Sequence, residues 1–311
     1  MGFKCGIVGL PNVGKSTLFN ALTESSIAAE NFPFCTIEPN IGIVNVPDDR
    51  LDRIHKISQS ERLIYASTTF VDIAGLVKGA SHGEGLGNAF LANIREVNAI
   101  AHVVRCFENE NITHVNGKIN PLDDLEVILT ELALADIQTL NKREEKNMKL
   151  IKSNSVLIKK ETQIIERVIE EISDTNHINL SLYSDEDNEI ISTFNLLTSK
   201  PFFVVGNISE DENLNHQIEI HQWCDKNSIK FIPVVVEQEY EIATLDQEER
   251  KEYLNLLGLG EPVLNSIIRA GFEILGLQTY FTSGPKESRA WTIKKGSLAP
   301  QAASVIHTDF E

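Results

Sequence analysis

The stretch Gly9-Leu10-Pro11-Asn12-Val13-Gly14-Lys15-Ser16-Thr17 matches G-x-x-x-x-G-K-[ST], a pattern whose glycines let backbone N–H groups close around phosphates. A β-branched run precedes it and an apolar helical pattern, Leu18–Leu22, follows. The positive end of a helix would therefore face the same anion. Asn12, Val13, Gly14, Lys15, Ser16 and Thr17 form the expected cradle. Lys15 is placed to bridge the β- and γ-phosphates, and Ser16 to hold Mg²⁺ through its hydroxyl. Downstream, Asp72-Ile73-Ala74-Gly75 ends a predicted strand. There Asp72 would hold Mg²⁺ indirectly, and the Gly75 N–H would sense the γ-phosphate. Between the two motifs, Thr36 is positioned to close the metal shell. The glycine-rich segment Gly79–Asn88 cannot start a stable helix and reads as a mobile second switch.

The base should meet the end of a later strand. Guanine readers place N-K-x-D there, the Asp accepting from guanine N1–H and the 2-amino group. Here the strand ends in Gly206-Asn207-Ile208-Ser209-Glu210. Ile208 replaces the lysine and Glu210 the aspartate. Adenine lacks the 2-amino group and offers a lone pair at N1, where a carboxylate would be unpaired at a cost of about 1–3 kcal/mol. Glu210 must then be displaced, and Asn207 can read the N7 and 6-amino edge.

Many GTPases orient the attacking water with a Gln after D-x-x-G. The residue here is Leu76, which cannot hydrogen-bond water. Catalysis must rest on positioning, Mg²⁺ and Lys15, plus a group delivered from elsewhere. The candidates are His82 in the second switch and His114 in the loop after the Ile100–Val104 strand. Asn12 is a candidate ligand for a monovalent cation, K⁺, acting like an arginine finger. The residues leave three activities open: an ATP-hydrolysing switch, a nucleotide-sensing module in which turnover is incidental, and a GTPase.

These residues need a scaffold. Phe3–Val8, Ile41–Val46, Thr69–Ile73, Ile100–Val104, Phe202–Val205 and Phe231–Val236 read as strands, several apolar at consecutive positions as in strands buried on both faces. Helical patterns alternate with most of them, which predicts an α/β fold with a mostly parallel sheet. The alternation breaks between about Leu122 and Ser199. Leu125, Ile128, Leu129, Leu132, Ile137 and Leu140 recur at helical spacing, a polar stretch Asn141–Lys149 follows, and Ile151 to Ile172 resumes the pattern. Two long antiparallel helices with a charged tip are expected, the first capped by Asp123 with Pro121 just outside it. From about Gln278, Thr279–Thr282, Ala290–Ile293 and a Gly296 turn suggest a small β-rich module. A module this short cannot fold alone, so it either packs on the first domain or begins something longer.

The chain has 311 residues, 42% of them hydrophobic, with 28 Lys+Arg against 45 Asp+Glu and a formal charge of -17. About two domains are expected. Such a field repels phosphate backbones, so neither nucleic-acid binding by the whole surface nor sequence-specific DNA recognition is expected, while a local basic patch stays open. The four cysteines form no C-x-x-C pair, which suggests reduced thiols in a cytoplasmic protein. No signal peptide or membrane-length apolar run is present.

Gly9–Thr17, Asn31–Asn40, Val71–Ser81, Glu84–Asn88 and His102–Asn109 together resemble the YchF branch of the Obg-like ATPases. Leu277–Ile293 resembles the start of that family's C-terminal TGS domain. The resemblance implies a P-loop G domain over 1–122 and 200–277, an inserted helical arm over 123–199, and a β-grasp TGS domain from 278 that is cut short at 311. It also implies a preference for ATP over GTP, and ribosome association.

Overall fold

The computed structural model describes residues 3–27, 40–74, 86–109, 111–113, 118–150, 156–209, 215–307 and 309. In chain order the elements are β1 (Lys4–Val8), α1 (Lys15–Ile27), β2 (Ile41–Asn45), α2 (Asp49–Ser58), β3 (Arg62–Ile64), β4 (Ser67–Asp72), α3 (Leu86–Glu96), β5 (Ala99–Arg105), α4 (Pro121–Leu150), α5 (Val156–Thr175), α6 (Asp185–Ser192), β6 (Phe202–Asn207), α7 (Asn215–Lys226), β7 (Phe231–Val234), α8 (Val236–Thr244), α9 (Gln247–Leu256), α10 (Val263–Ile274), β8 (Leu277–Ser283), β9 (Glu287–Lys294) and α11 (Ala299–Ser304).

Six strands form one sheet in the order β2-β4-β1-β5-β6-β7. All neighbours run parallel except β2, which is antiparallel to β4 at the edge. Every residue of β5 and β6 is buried, as expected of central strands covered on both faces. Edge strand β2 alternates instead, with Gly42 and Val44 buried and Ile43 exposed. The registers Ile7↔Asp72, Val8↔His102 and Arg105↔Asn207 bring the ends of β1, β4, β5 and β6 to one edge. That carboxyl edge is where open α/β sheets bind ligands.

Two expectations about α4 are corrected. Its cap is Asn120, whose Oδ1 accepts from Leu122 N at 3.2 Å and Asp123 N at 3.3 Å. Pro121 is the first helical residue, where its missing N–H costs nothing, and Asp123 lies inside. The polar stretch Asn141–Lys149 is helix as well, so α4 runs for 30 residues.

Leu125, Ile128, Leu129 and Leu132 of α4 join the core under the sheet. Leu140 joins a second core with Ile164, Ile165, Val168 and Ile172 of α5, and with Ile191 and Phe194. α4 and α5 are antiparallel. Arg143 Nε and Asn147 Nδ2 donate to Glu161 Oε1 at 2.6 and 3.0 Å near one end, and Asn176 Nδ2 donates to Thr130 Oγ1 at 3.2 Å near the other.

The C-terminal strands β8 and β9 form an antiparallel hairpin, and β3 adds to it in parallel beside β9. The hairpin therefore packs on the sheet domain. Ser60 Oγ donates to Gly284 O at 2.6 Å, and the Arg50 guanidinium bridges Asp48 and Thr279 while lying 5.1 Å from the Phe281 ring. Among the described residues, no helix is long and apolar enough to cross a membrane.

Candidate functional site

The turn from β1 into α1 carries Asn12 at φ 64° and Gly14 at φ 98°. The left-handed conformation is natural for Gly14 and tolerated by Asn12. Gly14 is also fixed by space, since a Cβ there would lie 2.4 Å from Asn207 Nδ2.

Lys15 is 7% exposed and donates through Nζ to Leu10 O at 2.7 Å. Burial lowers its pKa, and the nearby Asp72 carboxylate opposes that shift. Ser16 Oγ donates to Asp72 Oδ2 at 2.9 Å, joining the P-loop to the end of β4. The other Asp72 oxygen, Oδ1, is buried with no hydrogen-bond partner among the described residues. A hydroxyl and a buried carboxylate oxygen lacking a donor are hard ligands suited to a divalent cation. The donor set therefore fits Mg²⁺.

Asn207 closes the next wall. Its Nδ2 donates to Val13 O at 3.0 Å, and its Oδ1 accepts from Val236 N at 3.3 Å. Ile208 N donates to Val234 O at 2.9 Å, and its half-buried side chain packs against the sheet core. Beyond them lies an open cleft of about 970 Å³, walled by Asn12, Gly14, Thr17, Phe107, Asn207, Ile208 and α8 residues including Tyr240. α8 is anchored from behind. The buried Glu239 carboxylate accepts from Val263 N at 2.9 Å and Leu264 N at 3.2 Å, at the start of α10.

Sequence reasoning missed one component. Arg105, the last residue of β5, is 1% exposed. Its guanidinium donates to the carbonyls of Phe107, Asn109 and Ile112 at 3.0 to 3.1 Å and lies 4.7 Å from the Phe107 ring. It shapes the loop that lines the cleft. Asn12 Nδ2 ties that loop to the P-loop by donating to Thr113 O at 3.1 Å. The available signal was an arginine directly continuing an all-apolar strand. Its three partners are backbone carbonyls, which leave no trace in residue identity.

Asn12, Val13, Gly14, Lys15, Ser16, Thr17, Asp72, Asn207 and Ile208 thus meet at one edge of the sheet. Thr36, Gly75, Leu76, His82, His114 and Glu210 lie outside the described residues.

A family model described as a 50S ribosome-binding GTPase matches residues 4–132. A C-terminal model for YchF GTPases, described as a protein of unknown function, matches residues 277–311. The Escherichia coli protein named ribosome-binding ATPase YchF is 53% identical over 313 aligned residues, covering 100% of this chain and 86% of its own. The Bacillus subtilis (strain 168) protein of that name is 46% identical over 316 residues, with the same coverage. The solved structure of the Schizosaccharomyces pombe YchF GTPase is similar at a TM-score of 0.87 and 40% identity, covering 100% of this chain and 85% of that one.

Proposed function

The chain belongs to the YchF family of P-loop NTPases, and we propose that it binds ATP with Mg²⁺, prefers it to GTP, hydrolyses it slowly, and acts as a nucleotide-dependent switch on cytoplasmic ribosomes. The observation that carries this reading is the Ser16–Asp72 pair beside buried Lys15. In this reading the G domain spans 1–122 and 200–277, the arm 123–199, and the TGS segment 278–311.

The P-loop backbone and the N-terminus of α1 cradle the phosphates. Lys15 sits in a desolvated pocket, where its charge acts on the β- and γ-phosphates through a lower effective dielectric than water. Ser16, Asp72 and Thr36 would hold Mg²⁺, which when bound neutralises charge developing on the phosphates. Asn207 and Ile208 wall the base, and the Ile208 side chain replaces the lysine of guanine readers. ATP preference is supported by this replacement, together with Glu210 in place of aspartate. Slow turnover is supported by Leu76, which cannot align water. The loop pinned by Arg105 and tethered at Thr113 leads directly into His114, the group proposed to complete the site when the ribosome is engaged. His82 is the second candidate.

Calorimetric competition between ATP and GTP tests the base assignment. ATP is expected to bind about 5- to 150-fold more tightly, and tighter GTP binding overturns the assignment. Lys15→Ala tests the phosphate site in the same instrument. Retention of wild-type ATP affinity by that variant refutes its assigned role.

A further inference from the structure

The chain carries -17 overall, yet residues 141–161 hold seven of its 28 basic residues and three of its 45 acidic ones, a local charge of +4. Its described residues are the last turns of α4 and the first turns of α5. Among the described residues, Arg143 pairs with Glu161 at 2.6 Å, Lys160 with Glu186 and Asp187 at 2.7 and 3.4 Å, and Lys159 also has a partner. Lys142, Lys146 and Lys149 are different. All three are exposed, none forms an ion pair with any described residue, and their i, i+4, i+7 spacing puts them on one face of α4. The helix dipole favours cations only within the last turn, and so does not account for Lys142. Past Asn147, several large apolar side chains among the described residues are exposed. Met148, Val156 and Leu157 are 60%, 79% and 76% exposed. Exposed apolar side chains and exposed lysines with no ion-pair partner among the described residues thus occur in the same part of the hairpin.

We propose that the C-terminal end of α4 is an RNA-docking surface, with Lys142, Lys146 and Lys149 meeting backbone phosphates of one strand. The proposal rests on the ribosome reading above and names the part of the chain that touches the ribosome. The three lysines span about 10 Å of helix, the axial run of about four phosphates of one strand at roughly 3.4 Å spacing, within which three long lysine side chains can each reach a phosphate. The acidic remainder of the surface repels the same polyanion, so the protein presents RNA with one attractive end and is oriented by it.

The test compares the full chain with two triple variants, Lys142→Glu/Lys146→Glu/Lys149→Glu and the matching Lys→Gln set. Co-sedimentation with purified ribosomes is measured between about 50 and 200 mM salt, alongside titration of an RNA duplex of about 16 base pairs. Both variants are expected to bind ribosomes and duplex about 10-fold or more weakly, with a log–log salt slope shallower by about 2 to 3. ATP affinity and the thermal melt are expected to stay at wild-type values. If wild type sediments and the variants match it in affinity and slope, the docking surface is wrong while the ribosome reading stands. If wild type does not sediment, both fall. If the variants lose ribosomes while wild type binds no duplex, the partner is an acidic protein and the RNA assignment is overturned.

Discussion

Asn207 Nδ2 lies 3.0 Å from the Val13 carbonyl oxygen, joining residues 194 positions apart in sequence. The same amide receives Val236 N–H on its oxygen. One side chain therefore holds the P-loop and the first turn of α8 in register, and these are the two walls that a nucleotide must touch at once. The absence of a Cβ at Gly14 lets that amide approach.

Asn207→Ala leaves a buried P-loop carbonyl and the Val236 N–H without this partner. An orphaned buried polar group costs about 1–3 kcal/mol. ATP affinity by calorimetry should fall about 5- to 150-fold, while the melting temperature without nucleotide shifts far less than the affinity implies. Unchanged affinity would show that the two walls are held together by other contacts.

Asp72→Asn keeps an acceptor for the Ser16 hydroxyl but removes the charge from Asp72 Oδ1, the buried oxygen with no hydrogen-bond partner. In wild type, ATP should raise the melting temperature strongly with Mg²⁺ and weakly with a chelator present. In the variant the two conditions should converge. A full Mg²⁺ effect in Asp72→Asn would mean that the cation is held elsewhere.

Arg105→Lys replaces a planar fork meeting three carbonyls with a single ammonium that cannot reach them all. The loop ending at Thr113 should lose its fixed path. Ribosome-stimulated single-turnover hydrolysis should drop about 10-fold or more, a barrier change of roughly 1.4 kcal/mol or above, with ATP affinity within a factor of about three. Equal losses in rate and affinity would make Arg105 a purely structural residue.

His102 is wholly buried on β5, edge-on to the Phe202 ring at 5.0 Å, with no hydrogen-bond partner for either ring nitrogen among the described residues. Burial pushes its pKa down to about 3. Unfolded histidine takes a proton near pH 6.5, so between those values the unfolded state holds the extra proton. The stabilisation is complete above about pH 6.5 and is lost as pH falls, at up to about 1.4 kcal/mol per unit. Urea unfolding at pH 7 and pH 5 should show a drop of about 2 kcal/mol in wild type beyond that in His102→Leu. Identical pH profiles would show that protonated His102 is accommodated.

What the sequence revealed follows the range of the forces involved. β5 and β6 could be read because burial on both faces writes a nearly unbroken apolar run, edge strand β2 because its burial alternates, and the P-loop because its chemistry needs fixed residues at fixed spacing. Asp72 could be placed at the carboxyl edge beside Ser16 because its motif ends a strand. Arg105 could not, because its partners are carbonyls. The cap at Asn120 was missed because Asn and Asp cap about equally well, and Asp123 offers the same accepting oxygen two residues inside a helix begun by Pro121. β3 was invisible for a different reason. Arg62–Ile64 is three residues long and half exposed, and only its pairing with β9 makes it a strand.

That pairing sets a schedule for synthesis. Arg62 aligns with Glu287, Leu63 with Ser288 and Ile64 with Arg289, so β3 has no partner until some 225 further residues have been made. At roughly 5–20 residues per second, the wait is about 10 to 45 s. Through that interval α2 can dock on the sheet core through Leu51, but the Ser60 hydroxyl, which meets Gly284 O and Ser288 in the finished protein, faces water. The segment after α2 therefore stays unpaired while the rest of the six-stranded sheet is made, and it is closed only when β9 arrives.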